Sequence, residues 1–221
     1  MSTLVDQAEN SDSAYSDSPE SDSTPSLSDR ICENFVSSVF DINPRDFLPH
    51  DCLVELITEA VIIHEMELPP LERNRDKELV MFILRNSKRV FATAAMCGIY
   101  GNRLLKIMKK FKDHGFDDDC LPVREEKVSG LPCFSGRHWS AFRVRSFLEN
   151  QWAFLAPVFS KSNFKLDLDP KHILPFTWVS NEAKDGTFSQ VYQVKIHPSH
   201  QEAPDLNVSR GFKHSLADSY L

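Results

Sequence analysis

Eight histidines, five cysteines and one run of three aspartates have the widest chemical range in this chain, and their spacing excludes most of it. His64-Glu65 begins like a zinc-protease helix motif, but Met66-Glu67-Leu68 follows and no second histidine completes it. There is no Gly-x-Ser-x-Gly elbow to raise a serine nucleophile. His197 and His200 share a turn with Pro198, which offers at most part of a metal site. Cys32, Cys52, Cys97, Cys120 and Cys133 are odd in number and contain no Cys-x-x-Cys pair. They are therefore expected to be reduced thiols, used mostly as small core residues. Asp117-Asp118-Asp119 lacks the alternating ligands and closing glutamate of a calcium loop. With catalytic motifs this sparse, the body of the chain reads as an interaction or structural module.

The 221 residues hold 25 basic and 32 acidic side chains, a net charge of −7. Seven of the acids (Asp6, Glu9, Asp12, Asp17, Glu20, Asp22 and Asp29) fall in the first thirty residues against Arg30 alone, which leaves 24 bases and 25 acids for the rest. A body this close to neutral lacks the broad basic surface that duplex nucleic acid requires, so no nucleic-acid partner is expected. Met1-Ser2-Thr3-Leu4-Val5-Asp6 has neither the charged start nor the apolar centre of a signal peptide. No apolar run approaches the ~18 residues of a membrane helix. The expectation is a cytoplasmic or nuclear protein, not secreted and with no membrane partner. Residues 1–28 repeat Ser11-Asp12-Ser13, Ser16-Asp17-Ser18 and Ser21-Asp22-Ser23. Such a segment buries too little apolar surface to offset its ordering entropy, and a disordered tail is expected. Ser18-Pro19 and Thr24-Pro25 could accept proline-directed phosphorylation; the alternative is an unmodified, solubilising tail.

The elements that would position any site are mainly helical. Residues 29–160 are expected to form a helical module of five helices. The first, capped by Ser28 or Asp29, carries Ile31, Phe35, Val36, Val39 and Phe40 and stops at Asn43-Pro44. The second has Asp51 as its cap, with Leu53, Leu56, Ile57, Ala60, Val61 and Ile63 on one face, and ends before Pro69-Pro70. The third and longest runs from Asp76 to about Cys97. A fourth, capped by Asn102, buries Leu104, Leu105, Met108 and Phe111, with Gly115 in a left-handed position and Phe116 beyond it. Its remaining faces carry Arg103, Lys106, Lys109, Lys110 and Lys112, a cluster that could bind an acidic partner or the chain's own tail, or be an ordinary solvated face. After an irregular connection over 117–138, a fifth helix spans roughly 146–156 with Phe147, Trp152 and Leu155 directed inward.

Past a linker at 161–172 the periodicity changes. Ile173-Leu174-Pro175-Phe176-Thr177-Trp178-Val179 has strand composition, and Val191-Tyr192-Gln193-Val194-Lys195-Ile196 alternates apolar with polar. The polar, glycine-bearing stretch 180–187 between them implies a β-hairpin within residues 173–200, followed by an irregular tail over 201–221.

The segment from Asp185 to Pro198, Asp-Gly-Thr-Phe-Ser-Gln-Val-Tyr-Gln-Val-Lys-Ile-His-Pro, resembles the first two strands and glycine-rich loop of eukaryotic protein kinases. The similarity is to filamentous-fungal kinase-like proteins, in which a helical region leads into the kinase domain. Phe47-Leu48-Pro49, Arg89-Val90-Phe91-Ala92, His114-Gly115-Phe116-Asp117-Asp118, Phe154-Leu155-Ala156-Pro157-Val158-Phe159 and Ile173-Leu174-Pro175-Phe176 fit the same group. The resemblance implies a loop whose backbone amides fold over ATP phosphates, with Gly186, Thr187, Phe188 and Ser189 in the loop and Val191 against the adenine. Of the loop's three glycines only Gly186 is present; Lys184 and Ser189 stand at the other two positions, and Asp185 would set negative charge beside phosphate. A complete family member would bind ATP with Mg. This chain is expected to need no cofactor as it stands, because the lysine strand, His-Arg-Asp loop and Asp-Phe-Gly ligand of a kinase do not occur in it, and Lys213 lies in an unrelated context. The expected function is that of a truncated kinase-like protein without catalytic competence. The alternative is a small helical protein that binds an unidentified protein partner and keeps a relic kinase hairpin.

Overall fold

The computed structural model describes residues 25–40, 44–70, 76–160, 166–182, 184–185, 190–202 and 212–214. The fold is mainly α. It comprises α1 (Leu27–Glu33), β1 (Val36–Ser37), β2 (Asp46–Phe47), α2 (His50–Leu56), α3 (Glu59–Glu65), α4 (Lys77–Asn86), α5 (Lys88–Met96), α6 (Gly101–Asp113), α7 (Glu125–Val128) and α8 (Ala141–Asn150). The strands β3 (Phe176–Val179), β4 (Lys184–Asp185), β5 (Gln190–Tyr192), β6 (Val194–Ile196) and β7 (Phe212–His214) follow.

Several helices expected as single units are broken, each for a local reason. The first begins two residues early, because Ser26 and Asp29 form a reciprocal capping box, and it ends at Glu33. Val36 and Ser37 then pair with Phe47 and Asp46, so Val36, Val39 and Phe40 belong to an extended segment. The second expected helix divides at Ile57–Thr58, where the Thr58 hydroxyl accepts from the Val61 amide and starts α3. The third divides at Ser87, whose φ of −140° leaves the helical region and turns α5 away from α4. The longest helix is therefore α6, which begins at Gly101 with Tyr100, not Asn102, in the cap position. Its end is as expected: Gly115 has φ +62°, and the amides of Gly115 and Phe116 bond the carbonyls of Lys112 and Phe111 at 3.1 and 2.8 Å. The fifth expected helix lies earlier, at Ala141–Asn150, where the Ser140 hydroxyl caps it. Gln151–Phe154 continues it as a tighter 3-10 turn.

The centre of the helical body is α5, in which Val90, Phe91, Ala92, Thr93, Ala94 and Ala95 are all buried. A helix buried on every side needs neighbours on every side, and α1, α2, α4, α6 and α8 all pack on it. Its alanines let those helices come close. Beside it lies an aromatic cluster of Phe111, Phe116, Phe134, Trp139 and Phe147, with ring centroids 4.7 to 6.5 Å apart. The Trp139 indole, buried there, donates to the Cys133 carbonyl at 3.0 Å. The cysteines remain free thiols, but only Cys97 and Cys133 are buried; Cys32 and Cys120 are exposed and Cys52 is half-buried. Burial pushes the Cys97 thiol up to about 12.

Residues 117–138, expected to be irregular, hold the single-turn α7 and two 3-10 turns, and two side chains fix them to the body. Gln151 accepts from the Val123 amide at 2.7 Å and donates to the Val123 carbonyl at 2.8 Å. Asp118 accepts from the amides of Arg89 and Val90 at 3.1 and 2.9 Å. Two of the three aspartates thus have structural duties, since Asp117 caps the turn Asp118–Cys120 through the Asp119 amide. Among the described residues no group of three or more metal-ligating side chains occurs.

The strands form an extended hairpin. Phe176, Trp178 and Val179 of β3 face Ile196, Lys195 and Val194 of β6, with a bulge after Phe176. The pairing continues outward from β4 to β5, Lys184 opposite Val191 and Asp185 opposite Gln190, and β7 pairs with the other edge of β5. No helix among the described residues is long and apolar enough to cross a membrane.

Asp118 supplies the N-terminal cap that Ser87 does not. Asp118→Ala is expected to cost about 1–2 kcal/mol of stability, as lost helix caps do. Asp118→Asn, which keeps an acceptor oxygen, is expected to cost less. Chemical denaturation of both variants checks the order, and equal losses would show that the carboxylate charge carries the effect.

Candidate functional site

Chemistry-bearing side chains collect where the hairpin meets the helical body. The Phe47 ring, fully buried, is placed by β2 at the entrance to α2. His197 and His200 come from the turn after β6, and both rings meet Phe47 edge to face, with centroids 5.9 and 5.3 Å away. His50 and Asp51, in the first turn of α2, lie on the same side. The pattern Ile-His-Pro-Ser-His explains the local geometry: Pro198 opens a 3-10 turn, and a tight turn brings positions 197 and 200 onto one face.

Ser199 stands between two of these groups. Its Oγ lies 2.9 Å from His197 Nδ1, and it is near enough to the Asp51 carboxyl to lower that group's pKa. Burial alone would raise the Asp51 pKa, but Ser199 and the Cys52 amide outweigh it and hold this carboxyl below its usual value. In a hydrolytic triad the imidazole separates the serine from the carboxylate. Here the serine lies between the imidazole and the carboxylate, so the order of a hydrolytic triad is not present.

His200 is buried, with 2% of its surface exposed. Its Nδ1 lies 3.1 Å from the Pro157 carbonyl, which makes that nitrogen the donor, and its buried Nε2 has no hydrogen-bond partner. Burial lowers its pKa to about 4 against the pull of the Pro157 carbonyl, and the neighbouring His197 and His50 act in the same direction as burial. It is therefore neutral near pH 7. His50 is also lowered, first by burial and then by Arg89.

Backbone bonds surround the joint. The Phe159 amide donates to the His200 carbonyl at 2.8 Å and Glu202 returns one to Phe159 at 3.1 Å. His197 donates to Pro175, and Val39 to Phe176, at 2.8 and 3.0 Å. Arg45 reaches across to the carbonyls of Lys171 and His172 at 2.9 and 3.2 Å. Phe47, Trp152, Ala156 and Ile173 form a small second core beneath.

Of the loop residues, Gly186, Thr187, Phe188 and Ser189 lie outside the described residues. Val191 is half-buried in β5, opposite Lys184. Sequence reasoning singled out His197 and His200 as a weak metal pair and did not connect them with His50, Asp51 or Phe47. The signal that could have done so is the pair of unusual buried types, a histidine turn and Phe47-Leu48-Pro49, but their meeting depends on tertiary packing. No protein-family model, curated protein or solved structure matches the chain.

A lowered histidine pKa stabilises the fold in its neutral form. The contribution is complete above the unfolded value of 6.5 and is lost as pH falls toward about 4, because the unfolded chain binds the proton first. That difference corresponds to about 3 kcal/mol at most. Between about pH 7 and pH 4.5 the protein is expected to lose more stability than His200→Phe does, as followed by urea denaturation. Parallel pH profiles for the two would exclude His200 as the titrating group.

Proposed function

We propose that this chain is the non-catalytic N-terminal part of a protein-kinase-like protein, a helical body that carries the opening hairpin of an N-lobe. The supporting observation is the β4–β5 register, Lys184 with Val191 and Asp185 with Gln190, which makes residues 186–189 the connection between two adjacent antiparallel strands. A phosphate-covering loop joins its strands in the same way. The joint around Phe47 gives the body its role in this reading: it holds the base of the hairpin while the outer end stays available to further strands, since short strands need additional partners to form a stable sheet.

In this reading any nucleotide contact comes from backbone at 186–189 and from Val191, and the chain transfers no phosphate. No His-Arg-Asp or Asp-Phe-Gly sequence occurs in it to supply a base or metal ligand. The five free thiols agree with a reducing cytoplasmic or nuclear setting. A second reading, a helical interaction protein with a relic hairpin, is favoured by one observation: the main core draws all its buried members from residues 27–154 and none from the strands after them.

Incubated with ATP and Mg²⁺, the purified chain is expected to release no phosphate above a buffer control, and a measurable turnover would overturn the proposal. The transcript separates the two readings. A spliced message that runs past Leu221 into a Val-Ala-x-Lys strand supports the kinase-like one, and a stop codon there supports the interaction protein.

A further inference from the structure

The basic side chains of α6 fall into two sets. Lys109 pairs with the buried Asp76 at 2.8 Å and Lys112 with Glu78 at 2.9 Å. Lys110 donates to the Ser135 carbonyl and hydroxyl, both at 2.9 Å. These three hold the fold together. Arg103 and Lys106, one turn apart on the exposed face, form no ion pair among the described residues, and neither does the exposed Arg137. Arg143 of α8 completes the group, with Nη1 donating to the His138 carbonyl at 3.3 Å. His138 sits among all four: its pKa is lowered by burial first, and then by Arg137, Lys106, Arg103 and Arg143. Four cations from α6, α8 and the turn between them around one histidine make a concentrated positive field, and among the described residues Arg103, Lys106 and Arg137 have no ion-pair partner in it.

We propose that this patch is the docking surface for the chain's own acidic N-terminal segment, residues 1–24. That segment carries Asp6, Glu9, Asp12, Asp17, Glu20 and Asp22 and has no lysine or arginine. Ser26, which caps α1, lines the same groove as Tyr100 and Gly101, so the segment joins the body beside the start of α6; Glu59, Glu65 and Glu67 line that groove too and repel acidic side chains from it, toward the basic face further along the helix. Arg103 follows within the first turn. From Gly101 to Lys110 the helix spans about 14 Å, whereas 24 residues reach up to ~80 Å when extended. Tethering makes the encounter intramolecular, at an effective concentration on the order of millimolar. Several exposed ion pairs, each weak alone, then suffice to hold the segment.

His138 reports on the contact within the full-length chain. Carboxylates docked beside it offset the cations and raise its pKa. The variant Asp12→Asn/Asp17→Asn/Glu20→Gln/Asp22→Asn is therefore expected to show a lower His138 pKa than the parent by NMR titration. The difference is expected to vanish in ~1 M salt, where the Debye length is ~3 Å. An unchanged His138 pKa overturns the proposal. A second measurement identifies the occupant: carbodiimide coupling of carboxylates to lysine amines in an equal mixture of isotopically light and heavy chains. Tail carboxylates joined to Lys106 of the same copy support docking in cis. Crosslinks between light and heavy copies assign the patch to a second molecule, and crosslinks spread evenly over Lys77, Lys127 and Lys171 assign it to no segment; either result overturns the proposal.

Discussion

A helix buried at the centre of a protein cannot leave its first amides to water, and α5 has no cap of its own. Ser87, at its cap position, makes no side-chain capping bond, and the Ser87 hydroxyl is itself buried without a partner. The amides of Arg89 and Val90 are satisfied by Asp118, 28 to 29 residues further on. An unpaired buried amide costs about as much as a lost hydrogen bond with its desolvation, so the position of the 117–120 turn is tied to α5. Burial raises the Asp118 pKa against those two donors, which shows how far this carboxylate has been taken out of water. Among the described residues no helix around α5 other than α6 exceeds ten residues, and isolated helices of that length are marginal. Their stability comes from remote contacts of the same type. Glu65 at the end of α3 accepts from the Leu27 amide at the start of α1, at 2.9 Å.

The joint around Phe47 uses different physics for a similar purpose. Edge-on histidine rings on Phe47 and backbone bonds from Val39 and Phe159 attach a short hairpin to a body with its own core. The buried neutral imidazole of His200 comes from the turn after β6, on the hairpin's side, and the body supplies the Phe47 ring that it meets. Chemistry-capable residues therefore accumulate at a mechanical connection, where their protonation affects attachment more directly than it could affect a substrate.

Helix content was legible because it follows from local periodicity, although the fifth helix lies about five residues earlier than expected and a strand, β7, stands in the stretch expected to be irregular. The end of α6 at Gly115-Phe116 was legible in detail, since a left-handed glycine followed by an apolar residue encodes its own hydrogen bonds. The breaks at Thr58 and Ser87 were not, because both lie inside continuous apolar patterns, and the cap that permits a restart at residue 88 comes from Asp118. The strand at Val36 was hidden for the same reason: Phe35, Val36, Val39 and Phe40 fit a helical face, and only Phe47 and Phe176 make the extended form preferable. The hairpin's strands showed in their alternation. The meeting of His50 and Asp51 with His197 and His200 had no local signature at all.

Phe47 also sets a schedule for synthesis. The rings that cover it belong to His197 and His200, which leave the ribosome roughly 150 residues later, on the order of 10–30 s at ordinary elongation rates. During that interval a helical body that can already pack its main core presents an uncovered aromatic surface to the cell. The turn after β6 is thus what closes it, and a nascent chain stalled before residue 197 would be the form most exposed to chaperones.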